Sequence, residues 1–111
     1  MILLGDWNDD IDDAPIDNVF RPFTDRPDAY VAPTIDIAQA GGYSYIPFRR
    51  LIDHILFTRE AADHFVVDDI AAITLDDEIE NYAHTVSDHR PVGARLIPII
   101  PRSETSSSPR P

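Results

Sequence analysis

The clearest pattern of apolar and polar positions lies between Leu51 and Thr58. Alternation there puts Asp53, Ile55 and Phe57 on one face and Ile52, His54 and Leu56 on the other. Both faces are largely apolar, which predicts a central strand covered on both sides. Ile2-Leu3-Leu4, ended by Gly5-Asp6, is too short for a helix and predicts a buried strand. A strand opening at residue 1 lacks a neighbour on one side, so further chain is expected upstream. Tyr43 to Ile46 reads as a strand stopped by Pro47, Phe65 to Leu75 as the next strand, and Pro91 to Ile97 as the last. A helical turn is expected over Arg59 to His64. A short helix is expected over Asp76 to Tyr82, its first turn carrying Asp76, Asp77 and Glu78 where the helix dipole favours acid.

The intervening stretches are irregular. Residues 7–18 are dense in aspartate and form a loop, with one helical turn expected near Pro15 to Val19. Residues 20–42 carry Pro22, Pro27, Pro33 and Gly41-Gly42, and predict connection without a long helix. Pro98 to Pro111 holds four prolines and Ser106-Ser107-Ser108. Residues 1–98 therefore read as one folded unit and 99–111 as a disordered Pro/Ser-rich tail.

This order permits a meander that gathers chemistry at one sheet edge. With Leu51–Thr58 running up, Phe65–Leu75 down and Pro91–Ile97 up, Asp53 and His89 stand at neighbouring strand starts. A descending Ile2–Leu4 delivers Asp6 and Asn8 to the same edge.

The chain has 111 residues, 9 basic and 20 acidic, for a net charge of -11. Such a balance repels nucleic acid and anionic membranes unless cations or a local basic patch reverse the field. Clustered carboxylates favour hard cations such as Mg²⁺ or Ca²⁺. With 0 cysteines, disulfides and thiolate metal sites are excluded. Met1 to Asp6 has no basic segment and too short an apolar run for a signal peptide. No apolar run approaches the ~20 residues of a membrane span. The compartment is not legible; a genuine start at Met1 would leave the chain cytoplasmic.

The gathered groups suit phosphate chemistry. Asp6 can orient a water or a cation, and Asn8 can donate to a phosphate oxygen. His89 can transfer a proton or donate to phosphate. An imidazole needs its second nitrogen oriented, and Asp53 is placed to do so. Asp88 adds a second carboxylate for a cation. Arg90 and the pair Arg49-Arg50 are the basic groups expected near a phosphate.

Gly5-Asp6-Trp7-Asn8, Leu51-Ile52-Asp53-His54-Ile55-Leu56 and Ser87-Asp88-His89-Arg90-Pro91-Val92 resemble, in order, the last three signature blocks of the endonuclease/exonuclease/phosphatase (DNase I-like) superfamily. The resemblance covers the second half of that domain. It implies an α/β (α+β) fold, part of a four-layer αββα sandwich of mainly antiparallel strands, with the N-terminal half missing. It implies a metal-dependent phosphoesterase acting on phosphodiester or phosphomonoester bonds with Mg²⁺, alternatively Mn²⁺ or Ca²⁺. The substrate would be a nucleic acid, a phospholipid or a small phosphate ester. Asp6 would position the water and share the metal with Asp88. Asn8 would contact the scissile phosphate, and Asp53 would orient a phosphate-binding His89. The family's main metal-binding glutamate should lie upstream, so little or no activity is expected of these residues alone.

Plainer roles compete. Asp6 and Asn8 suit a turn, Asp53 an ion pair with Arg49 or Arg50, and Asp88-His89 a turn before the last strand. His54 reads as structural. His64 and His84 read as surface, and Tyr43 and Tyr45 as sheet packing. Asp6 to Asp12 partly matches a calcium loop, but Ile11 stands at its glycine and Asp17 at its glutamate. The rival function is a non-catalytic fold remnant or an acidic cation-binding interaction module.

Overall fold

A computed structural model describes residues 1–11 and 19–99. All but the last residue of the turn expected near Pro15 to Val19, the later positions of the calcium-loop match and the tail from residue 100 lie outside the described residues.

The chain forms a small α+β fold with two antiparallel sheets and short helices. The first sheet has the order β1-β3-β2: β1 is Ile2–Asp6, β2 Tyr30–Val31 and β3 Asp53–Thr58. The second pairs β4, Phe65–Ala72, with β5, Val92–Pro98. Four-residue helices α1 (Arg21–Thr24), α3 (Arg59–Ala62) and α4 (Tyr82–Thr85) and the five-residue α2 (Ile35–Gln39) fill the connections.

β3 is central because its alternation is apolar on both sides. Ile55 and Phe57 face the second sheet, where Phe57 meets Phe65 edge-on at 4.9 Å. His54 faces the opposite layer, where Phe20 lies against it at 4.6 Å and stacks on Trp7 at 4.7 Å. Burial of Phe20, Leu51, Ile55, Leu56 and Phe57 makes this the core. Thr58 ends β3 and caps α3, its Oγ1 accepting from the Ala61 N–H.

Several expectations are corrected. β1 is an edge strand, not a buried one, and Leu4 is 71% exposed. Tyr43–Ile46 is no strand: Pro47 follows at once, and only isolated bridges from Tyr45 to Arg50 and His89 form. The three later strands do not make one meander, since β4 and β5 form their own sheet. The helix expected over Asp76–Tyr82 is a 3₁₀ turn at Leu75–Asp77 followed by α4, because Asn81 takes a left-handed φ of 58° that ends helical continuity. No helix among the described residues is long and apolar enough to cross a membrane.

Candidate functional site

The site forms at the start of β3, where the segment leading into the second sheet comes against it. Register puts Asp6 of β1 directly opposite Asp53 of β3, so the two carboxylates share one strand end. Gly5, immediately before, has a φ of 151°, a value that side-chain-bearing residues avoid. The segment leading into β5 supplies Asp88 and His89.

His89 Nδ1 lies 2.7 Å from Asp53 Oδ2. A carboxylate only accepts, so Nδ1 carries the hydrogen and Nε2 faces the opening. There Nε2 lies 3.9 Å from Asp6 Oδ2 and 3.8 Å from Asp88 Oδ1. The backbone around this imidazole is fixed at both sides. The Tyr82 hydroxyl donates to the His89 carbonyl at 2.9 Å, and the His89 N–H donates to Ser87 Oγ at 3.0 Å. Partial burial alone would lower the His89 pKa; the Asp53 hydrogen bond and the charges of Asp53, Asp6 and Asp88 outweigh it and raise the value above 6.5.

Asn8 lines the same opening as Asp6 and His89. Its N–H donates to Asp6 Oδ1 at 2.8 Å, and its φ of 54° is one that asparagine tolerates better than most residues. Turn geometry therefore explains the residue type at position 8, and the side chain is left at the cavity rim.

Ser44 is a contributor that reading the sequence missed. It is fully buried, and its Oγ accepts from the N–H groups of Ile52 at 3.0 Å and Asp53 at 3.1 Å. Its backbone N–H donates to the Arg50 carbonyl, and its carbonyl accepts from the Arg90 N–H at 2.7 Å. One small residue thus joins the entry to β3 to the segment holding His89. No sequence signal marked it, because Tyr-Ser-Tyr reads equally as an ordinary strand.

Arg90 is not free for phosphate. Its guanidinium makes a bidentate contact with Asp76, at 2.8 and 3.1 Å, and lies 3.9 Å over the Tyr43 ring. Arg49 also sits by Tyr43, at 5.9 Å. Arg50 reaches the cavity margin and pairs with Asp9 at 3.6 Å. The Asp53 carboxylate pairs with His89 at 2.7 Å, in place of the ion pair expected with Arg49 or Arg50.

His54 is structural. Its Nε2 donates to the Asp9 carbonyl at 2.9 Å, leaving Nδ1 to accept from the Thr34 hydroxyl at 3.0 Å. That pattern is a neutral imidazole, and burial lowers its pKa below 6.5 despite the raising effect of Asp9, Asp10 and Asp53. Asp9 and Asp10 spend carboxylate oxygens within the protein: Asp9 on the Asp10 and Val19 N–H groups, Asp10 on the Leu51 N–H at 3.1 Å.

Asp6, Asp53 and His89 offer ligand atoms within 4.8 Å of one another. Asp53 Oδ2 is engaged by His89, however, and Mg²⁺ prefers oxygen. Asp6 lines the opening beside Nε2; Asp88 reaches Nε2 at 3.8 Å but stands outside the Asp6–Asp53–His89 group. Cavities of about 340 Å³ and 440 Å³ flank His89. A larger cleft, about 680 Å³, runs between the Phe23–Asp36 stretch and β4, and no histidine lines it. Chemistry, not size, singles out the two smaller cavities.

No family model, curated protein or solved structure matches this chain.

Proposed function

We propose that this chain carries part of a metal-dependent phosphoesterase site of the DNase I-like kind, hydrolysing a phosphodiester or phosphomonoester. The four-layer sandwich belongs to the same proposal. The contact that carries it is Asp53 Oδ2 to His89 Nδ1 at 2.7 Å, with Nε2 turned toward Asp6 and Asp88. Three stretches far apart in the chain supply those four groups.

Asp53 fixes the ring and favours the imidazolium. His89 Nε2–H then donates to a nonbridging phosphate oxygen, where negative charge grows as water attacks phosphorus and the ester P–O bond breaks. Asp6 orients the attacking water and accepts its proton; the departing oxygen takes a proton from solvent or from a second water. Asn8 hydrogen-bonds the phosphate at the rim. A divalent cation held by Asp6 and Asp88 would supply positive charge to the phosphate oxygens, with water completing its oxygen shell.

The test is a Mn²⁺ titration followed by ¹H relaxation, then inorganic phosphate. Broadening should centre on His89, Asp6 and Asp88, and Asp6→Ala should weaken Mn²⁺ binding about tenfold or more. Phosphate should bind only weakly to His89→Ala. Broadening confined to Asp9 and Asp10, unaffected by Asp6→Ala, would favour the acidic-loop module and refute the proposal.

A further inference from the structure

Tyr45 and Phe48 do more than pack. The cavity of about 340 Å³ that holds Asp6, Asn8 and His89 is walled by Tyr45, Phe48 and Ile52. The Tyr45 ring lies 5.3 Å from the His89 ring, and Phe48 lies 5.8 Å beyond Tyr45 at an interplanar angle of 38°. The aromatic wall therefore begins beside the imidazole and runs outward from it.

Phe48 is 74% exposed, yet its loop is tightly built. Tyr45 N–H donates to the Arg50 carbonyl at 2.8 Å, and Arg50 N–H returns to the Tyr45 carbonyl at 3.3 Å. Pro47 restricts the turn, Arg49 takes a left-handed φ of 53°, and Ile46 N–H donates to the Asp88 carbonyl at 2.9 Å. A large apolar ring held out to solvent on a braced loop is a preorganised contact, with little ordering left to do on binding. The volume is within the range of small-ligand pockets.

We infer that Tyr45 and Phe48 seat a planar ring borne by the phosphoester, so that the substrate is a small aryl or nucleoside phosphate. This rests on the phosphoesterase reading. Charge points to a small ester over a polynucleotide: the net charge is -11, Arg90 is committed to Asp76, and Arg50 at the margin is paired with Asp9. Recognition here comes from a ring face, not from a cationic track.

The test compares dissociation constants of ethyl phosphate, phenyl phosphate and adenosine 5′-monophosphate for the 111-residue chain in Mg²⁺. Phenyl phosphate should bind about tenfold tighter than ethyl phosphate. A further gain with the nucleotide identifies a nucleobase as the ring; its absence identifies an aryl group. Phe48→Ala, a change at an exposed position, should erase the preference and leave ethyl phosphate binding unchanged, and Phe48→Trp should restore it. Equal binding of ethyl and phenyl phosphate, or a preference that survives Phe48→Ala, overturns the ring seat and leaves the phosphoesterase reading standing. Failure of all three ligands to bind overturns that reading and the seat with it.

Discussion

Ser44→Ala removes one oxygen and strands two donors. The side chain is fully buried, and its Oγ accepts from Ile52 N–H and Asp53 N–H at 3.0 and 3.1 Å. A buried donor left without an acceptor costs about 1–3 kcal/mol, so two should cost about 2–4 kcal/mol after partial relaxation. That is a large share of the ~5–15 kcal/mol typical of a whole domain. It corresponds to a melting-temperature fall of roughly 10–20 °C. Urea unfolding followed by the fluorescence of Trp7, which stacks on Phe20, measures it. The same substitution loosens the backbone that carries the Asp53 carboxylate, so the His89 Nδ1 proton should exchange faster with solvent. A stability loss below about 0.5 kcal/mol, with unchanged Nδ1 exchange, would refute the role given to Ser44.

Other outcomes follow from the same contacts. The His89 pKa is raised above 6.5, so its contribution to stability is full below pH 6.5 and lost as pH rises through the folded value. His54 is lowered below 6.5, so its contribution is present above pH 6.5 and lost as pH falls through its folded value. Urea midpoints should therefore decline on both sides of the region near pH 6.5, and Asp53→Asn should flatten the alkaline limb and bring the His89 pKa down in an NMR titration. Arg90→Ala should lower stability, chiefly by removing the buried guanidinium from the Tyr43 ring and from its bidentate contact with Asp76. Arg90→Lys should recover little of it, because a lysine cannot repeat the bidentate contact or lie flat on Tyr43. Full stability of the lysine variant in a thermal melt would contradict that account.

β3 was legible because its alternation admits one reading: an apolar residue on each face leaves Asp53 the odd group on one side and His54 on the other. The adjacency of Asp6 and Asp53 followed from antiparallel strand ends; His89 joins them from the segment before β5, in the other sheet, and not through the single meander expected. The division into two sheets was not legible, since the apolar runs Phe65–Ala72 and Val92–Pro98 suit either arrangement. The Asp76–Tyr82 helix failed on a single left-handed residue, Asn81, which composition does not reveal. The engagement of Arg90 is not legible in the sequence, because its partner, Asp76, lies 14 positions away and reads locally as a helix-start acid. The edge position of β1 was hidden by its composition, for Leu4 is as apolar exposed as it would be buried.

In the proposed site the carboxylates around His89 Nε2 stabilise the imidazolium and would also hold a cation. The direct measurement is the His89 pKa by ¹H–¹⁵N NMR with and without saturating Mg²⁺. Without cation the value should stand above 6.5, raised by Asp53, Asp6 and Asp88 against partial burial. A Mg²⁺ held by Asp6 and Asp88, as proposed, would offset two of those three charges, so the value should fall, and Asp6→Ala should reduce the fall. A His89 pKa that does not move while Mg²⁺ shifts the resonances of Asp9 and Asp10 would contradict the account.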